Sequence, residues 1–168
     1  IGSNLRAVTA NPQDKNGRLA LANASLLAGA AFSNSMVGCV HSMGHATGAV
    51  AHVPHGIAMN IFLPFGLAFN LEKRAAEIAE LLLSLAGADL YAATPAGERA
   101  RQTITAVHQL KQDLYEISGL PRTLKEAGVS ADQLEQIARL AINDGSAMMN
   151  PTELGLEDAL RLAREAFE

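Results

Sequence analysis

The 168-residue sequence contains a single cysteine, Cys39, so no disulfide can form within the chain. Absence of disulfides is typical of a reducing compartment, and we therefore expect a cytoplasmic protein in which Cys39 is a buried, inert thiol. The formal net charge is -4, and Lys and Arg form no cluster. This charge distribution lacks the basic surface that binding to nucleic acid or to an anionic membrane requires.

Charged residues are also absent from a long internal segment. Between Leu19 and Leu71 the sequence contains no Asp, Glu, Lys or Arg. A membrane-spanning helix needs about 20 predominantly apolar residues in a row, whereas this segment is interrupted by polar residues and by Pro54 and Pro64. We therefore expect no membrane span. The segment instead predicts helices buried on all sides, forming the centre of the fold with the helices of residues 72–168 around it.

The sequence begins with "IGSNLRAVTA", which has no initiator Met and no secretory signal. This start suggests a processed product or one part of a longer polypeptide. A chain of about 150 residues buries roughly 70% of its unfolded surface, so the length is sufficient for a real hydrophobic core. We expect a single domain covering residues 1–168.

Helical periodicity dominates the second half of the chain. In "LEKRAAEIAELLLSLAG" the apolar residues share one face, and Gly87 is placed to end the helix; that face consists of Ile78, Leu81, Leu82 and Leu85. Further helices are predicted between Thr94 and Gly119, after a capping-box pattern at Ser130–Gln133, and over residues 156–167. No segment alternates apolar and polar residues as a strand would. The predicted fold is an all-α helical bundle.

Four of the five histidines lie in "VHSMGHATGAVAHVPHG", residues 40–56. His41 and His45 are spaced i, i+4 and therefore share one helical face. His55 follows Pro54 at the start of the next apolar helix, so a turn between the two helices would bring it back beside His41. Neutral imidazole is a common metal ligand, and the cluster predicts either a metal site or core histidines bonded to backbone carbonyls. The carboxylate usual in such sites is missing, since the next acidic residue is Glu72.

The remaining histidines carry no such pattern. His52 is predicted to lie half-exposed in the turn, and His108 to face solvent on an amphipathic helix. Met148, Met149 and Asn150 precede Pro151, and a methionine pair at such a position most often packs against its neighbours.

The run "AFSNSMVGCVHSMGHATGAVAHVPHGIAMNIFLPFGLAFN", residues 31–70, resembles the signature region of the iron-containing alcohol dehydrogenases. The shared features are a second His four residues after the first, a Gly three beyond it, and Pro-His-Gly with its His fourteen after the first. The closing "NPTELGLEDALRLAREAF" is similar to the family's final Asn-Pro and helix. Those enzymes combine an α/β nucleotide-binding domain with a helical C-terminal domain. This chain resembles only the second domain.

The resemblance implies a role for each matching position. His41 and His55 correspond to two metal ligands, and His45 to a histidine near the metal and nicotinamide that relays a proton. Phe32 corresponds to an aromatic residue of the substrate pocket, and the resemblance places Met148, Met149 and Asn150 near the active site. The ion would be Fe²⁺ or Zn²⁺, with an Asp and a third His contributed by the upstream domain. That domain would also bind NAD or NADP, and no glycine-rich phosphate-binding motif occurs in this chain.

The activity implied by the resemblance is hydride transfer between a nicotinamide and a small alcohol, with its aldehyde or ketone as product. The expected partners are the substrate, the upstream nucleotide-binding domain and further copies in a homo-oligomer, and we expect the chain alone to be inactive. A related two-domain enzyme of the polyol dehydrogenase, maleylacetate reductase or dehydroquinate synthase type is an alternative. Another is a non-catalytic helical interaction module whose histidines are core residues.

Overall fold

The computed structural model describes residues 1–168 and contains ten α-helices and no strand. The all-α prediction is therefore confirmed. In chain order the helices are α1 (Leu5–Ala10), α2 (Lys15–Ser35), α3 (Cys39–Ala51), α4 (His55–Phe69), α5 (Leu71–Ala86), α6 (Ala88–Ala93), α7 (Arg99–Ser118), α8 (Leu134–Ala141), α9 (Gly145–Met148) and α10 (Leu156–Phe167). Short 3-10 segments at Ala96–Glu98 and Ala131–Gln133 precede α7 and α8.

The predicted helix boundaries agree closely with these elements. Helix α5 ends at the predicted glycine, since Gly87 has the left-handed φ of 92° that a side chain would disfavour. Helix α7 begins one turn after Pro95 and ends at Gly119, whose φ is 71°. The capping box before α8 is present, and the Gln133 side chain accepts a hydrogen bond from the Ser130 backbone N–H at 2.9 Å.

The chain forms two compact units. The first contains Ile1–Met36 and Ala75–Leu120, and the second contains Val37–Arg74 and Pro121–Glu168. Helix α5 has a break at Arg74, whose φ of -133° and ψ of 28° are not helical. This break coincides with the end of one segment of the second unit.

The first unit is held together by buried apolar residues and by two specific polar contacts. Ile78 and Leu82 of α5 are buried, as is Val107 of α7. The Thr103 hydroxyl donates to the Ile78 carbonyl at 2.8 Å, and the Arg6 Nε donates to the Asp113 carboxylate at 2.6 Å. The second of these contacts ties α1 to α7.

The second unit contains a continuous hydrophobic core. Its helices α3, α4, α8 and α10 bury their facing sides around residues that solvent hardly reaches: Met43, Ile61, Phe62, Leu124, Ile137 and Leu162. Helix α3 packs on α4 and α8, and α10 packs on α8 and α4. This arrangement fixes the two helices that carry the histidine cluster.

The prediction that residues 19–71 form a buried centre is only partly confirmed. In α3 and α4 the core residues Met43, Ile61 and Phe62 are buried, but α2 is not: Leu26 is 73% exposed and Leu27 is 70% exposed. The absence of charged residues predicts that a helix is buried, but it does not specify which surface of the protein packs against that helix. Separately, none of the helices is long and apolar enough to cross a membrane.

Candidate functional site

The histidine cluster is built where α3 and α4 approach each other closely. A Cβ placed on Gly66 of α4 would overlap Val40 of α3, and one on Gly44 of α3 would overlap Met59 of α4. Because glycine occupies both positions, the two helix backbones can pack more tightly than larger residues would allow. The turn between the helices begins at His52, which has a left-handed φ of 56° and is exposed.

Three imidazole rings meet at this junction. The ring centroids of His41 and His55 lie 5.6 Å apart, those of His41 and His45 lie 5.8 Å apart, and those of His45 and His55 lie 5.5 Å apart. Two imidazoles that share one ion through bonds of about 2.1 Å have centroids roughly 5 Å apart. The rings of His41 and His55 lie close to that separation, and the turn does bring His55 back beside His41 as predicted.

The electrostatics favour neutral imidazole at the centre of the cluster. Burial lowers the pKa of His41, and the neighbouring His45 and His55 lower it further, against a smaller opposing effect of Asp144. A neutral ring keeps a lone pair available, which is the form that binds a metal ion. The lowered pKa thus favours the neutral form of the His41 ring.

Asp144 is the carboxylate that sequence reasoning missed. Its Oδ2 lies 3.0 Å from Nδ1 of His45, although 99 positions separate the two residues. Burial raises the pKa of Asp144, but hydrogen bonds from the backbone and side chain of Ser146 and from His45 outweigh burial and hold it below its usual value. The only local signal is the N-cap pattern Asp144-Gly145-Ser146, which predicts the start of α9 and not a contact with α3.

A pair of amides anchors the start of α3. Gly38 precedes α3 and offers no capping side chain, and the Asn150 Oδ1 accepts a hydrogen bond from the Cys39 N–H at 3.0 Å instead. Asn150 and Asn70 also exchange two hydrogen bonds of 2.9 and 3.0 Å through their side-chain amides. The Asn70 amide further donates to the Gly66 carbonyl of α4 at 3.0 Å. These bonds connect the beginning of α3, the end of α4 and the loop after α9.

The other residues singled out in the sequence have different environments. Phe32 lies near the end of α2 in the first unit and is 52% exposed. His108 is exposed on α7, as predicted. The expectation of packing for the methionine pair is wrong, since Met148 is 86% exposed and Met149 is also exposed. Helix α9 has a single turn, Gly145–Met148, and Ala147 is its only buried residue.

No group of three or more His, Cys, Asp or Glu side chains is arranged so that it could hold a metal ion.

A cavity of about 600 Å³ lies in the first unit, between residues near the chain start and the end of α5, and Arg6 and Gln109 are among its polar lining residues. It is not lined by His41, His45, His55 or Phe32, the candidate site residues.

Comparison with known proteins places this geometry in a family. The model of the Fe-containing alcohol dehydrogenase family, C-terminal, matches residues 1–167. The chain is 33% identical over 170 residues to 1,3-propanediol dehydrogenase of Klebsiella pneumoniae, and the match covers 99% of this chain and 42% of that protein. It is 32% identical over 171 residues to the NAD-dependent methanol dehydrogenase of Bacillus methanolicus, with the same two coverages.

A solved structure agrees with these matches. The crystal structure of a 1,3-propanediol oxidoreductase superposes with a TM-score of 0.90 at 30% identity, covering 99% of this chain and 42% of that one. The chain thus spans about two fifths of the length of the relatives it matches. It belongs to the iron-containing alcohol dehydrogenase family and corresponds to that family's all-helical C-terminal region.

Proposed function

We propose that this chain is the metal-binding helical part of an NAD(P)-dependent alcohol dehydrogenase that interconverts a small alcohol and its aldehyde or ketone. The observation that carries the proposal is the 5.6 Å approach of the His41 and His55 rings at the α3–α4 junction. The activities named for the relatives, oxidoreductases of propanediol and methanol, support the substrate class.

His41 and His55 are the residues that would hold the ion in this chain. Imidazole is a suitable donor for Fe²⁺ and for Zn²⁺, and the lowered pKa of His41 keeps its ring in the form that binds metal. A bound divalent ion would supply Lewis acidity toward the oxygen of the alcohol or carbonyl. The remaining ligands, an Asp and a His, would come from an upstream domain, in line with the share of the relatives that this chain leaves unmatched.

The other roles are those that the family resemblance implies. His45 is 41% exposed beside the two ligand candidates, so it can exchange a proton with solvent while staying next to the reacting oxygen. Phe32 would contribute an apolar wall to the substrate pocket. NAD or NADP would be held mainly by the upstream domain of the same polypeptide, and its nicotinamide would carry the hydride.

The test uses the polypeptide extended upstream to family length. His41→Ala and His55→Ala should each lower bound iron or zinc, measured by elemental analysis, by at least about tenfold, and abolish NAD(P)⁺ reduction with small alcohols. His45→Ala should slow turnover and leave the metal content largely unchanged. His52→Asn is the matched control, because it alters an exposed histidine next to α3 and asparagine tolerates a left-handed φ. Full metal content in both ligand variants would refute the proposed ligands.

A further inference from the structure

We propose that Asp144 is a positioning residue that fixes the tautomer of His45, with the hydrogen on Nδ1 and the lone pair on Nε2. The inference rests on the proposed function only where it assigns the proton relay to His45. The tautomer itself follows from the contacts of this chain and can be measured without any dehydrogenase activity.

The hydrogen-bonding chemistry of the contact leaves one arrangement. An ionised carboxylate only accepts hydrogen bonds, so at a distance of 3.0 Å from Asp144 Oδ2 the Nδ1 of His45 must carry the hydrogen. In the neutral ring the other nitrogen, Nε2, is then an acceptor. His45 therefore offers a proton acceptor at Nε2 and not a donor.

Asp144 is itself held in place, which makes the contact specific. Its Oδ1 accepts a hydrogen bond from the Ser146 backbone N–H at 2.7 Å, and this bond caps α9. One carboxylate oxygen thus fixes Asp144 to the backbone while the other fixes the ring. The Asp144 side chain is 25% exposed and that of His45 is 41% exposed, so the contact lies at the surface, and the bond to Ser146 is what keeps the carboxylate oriented toward the ring.

The consequence for the proposed reaction concerns the direction of proton transfer. During alcohol oxidation the substrate hydroxyl must lose a proton, and a ring with its lone pair on Nε2 can accept it. The Nδ1–H bond to a carboxylate also stabilises the imidazolium that results. A ring with the hydrogen on Nε2 would have neither property, although its shape would be the same.

Asp144→Asn is a nearly isosteric test of the tautomer. Asparagine is a good N-cap, so its Oδ1 keeps the bond to Ser146, and its NH₂ group then faces His45. An NH₂ group donates, so Nδ1 must become the acceptor and the hydrogen must move to Nε2. The equivalent Asp-to-Asn exchange in a serine protease triad lowers kcat about 10⁴-fold, because the catalytic histidine then adopts the wrong tautomer. We expect about a 10- to 100-fold fall in kcat here, because His45 is partly exposed, and less than a threefold change in KM.

Nitrogen-15 NMR of the imidazole side chains reports the tautomer directly. The spectrum is recorded on the 168-residue chain at pH about 9, where an ordinary histidine of pKa about 6.5 is neutral. His45, assigned through a His45→Gln variant, should show the Nδ1–H tautomer in the natural sequence and the Nε2–H tautomer in Asp144→Asn. Asp14→Asn is the matched control, because Asp14 caps α2 through the N–H groups of Asn16 and Gly17 and has no histidine contact.

The outcomes separate this inference from the proposed function. An Nε2–H tautomer in the natural sequence, or an unchanged tautomer in Asp144→Asn, would overturn the positioning role whatever the enzyme does. Two results for Asp144→Asn in the extended polypeptide would overturn the link to proton relay. One is a switched tautomer with an unchanged kcat, and the other is the loss of bound metal. Should Asp144→Asn fail to fold, Asp144→Ser keeps a capping oxygen for α9 and removes the fixed partner, and His45 is then expected to show a mixture of tautomers.

Discussion

Cys39 is the only cysteine of the chain and one of its most buried residues, with 1% of its surface exposed. Burial raises the pKa of its thiol from 9.0 to about 11, in spite of opposing hydrogen bonds that include one from the Asn70 side chain. At pH 8 about one molecule in a thousand would carry the reactive thiolate. We expect the folded chain to react with a thiol reagent at least about a hundredfold more slowly than the same chain unfolded in urea, measured by the release of the reagent's chromophore.

The raised pKa also sets a pH dependence of stability. Below pH 9 the thiol is protonated in the folded and in the unfolded chain, so its contribution to the free energy of unfolding is fully present. Between pH 9 and 11 the thiol of the unfolded chain ionises first, and the free energy of unfolding falls. Cys39→Ala removes this group, and its urea midpoint should fall less over that interval. In the thiol-reagent experiment, equal reaction rates of Cys39 in the folded and the unfolded chain would show that the thiol is not buried.

Part of the candidate site could be predicted at the level of single residues. The i, i+4 spacing of His41 and His45, and the short turn before His55, bring the three rings together through local geometry alone. Asp144 could not be found in this way, because its contact with His45 depends on how α9 packs near α3, and no periodicity in the sequence encodes that distance. The identification of ligands and relay came from resemblance and stays a prediction.

At the scale of elements, the amide pair of Asn70 and Asn150 holds α3 and α4, the two helices that carry the histidine cluster, in register. Asn150→Ala would leave the Cys39 N–H without its partner and the Asn70 amide without two of its bonds. An unsatisfied buried polar group costs about 1 to 3 kcal/mol. Asn70 keeps its bonds to the Gly66 carbonyl and the Thr152 N–H, so the unpaired Cys39 N–H should lower the free energy of unfolding, measured in urea, by about 1 to 3 kcal/mol.

Asn143→Ala provides the matched comparison for this variant. The Asn143 side chain follows α8, is exposed, and donates only to the Arg139 carbonyl in the last turn of that helix, at 2.7 Å. Its loss should change stability by less than about 0.5 kcal/mol, as for most surface substitutions. Similar losses in the two variants would mean that the amide pair contributes nothing specific to α3.

The helices themselves show what periodicity predicts and where it stops. Helix α5 was predicted because its apolar residues repeat on one face, and the first unit buries Ile78 and Leu82 of that face, whereas Leu81 is 48% exposed. Helix α2 has no charged residue after Arg18 and few strong polar residues, so its pattern indicates burial without indicating a direction. Its exposed Leu26 and Leu27 show that local sequence cannot supply the surface against which a helix packs.

At the scale of the molecule, the chain covers 42% of the length of a relative such as 1,3-propanediol dehydrogenase, while the family's C-terminal model matches residues 1–167 of the chain. Two imidazoles, His41 and His55, would leave most of an ion's coordination to water, and no group of three possible ligands is assembled within the chain. Metal affinity should then be weak, because a site gains affinity from a full, preorganised ligand set. Both halves of a shared site would be needed for the proposed chemistry.

The last prediction is that the 168-residue chain alone has no dehydrogenase turnover. Positioning of the hydride acceptor against the alcohol can account for roughly 7 to 11 kcal/mol of a reaction barrier, and this chain has no glycine-rich phosphate-binding motif to hold a nucleotide. An NAD(P)⁺-coupled assay with small alcohols and added Fe²⁺ or Zn²⁺ should give no signal with the chain and a clear one after extension upstream to family length. The extended His55→Ala variant controls for the ion, and it should lose the gained activity. Turnover by the isolated chain would mean that its own residues complete the site, and the division between two domains would have to be abandoned.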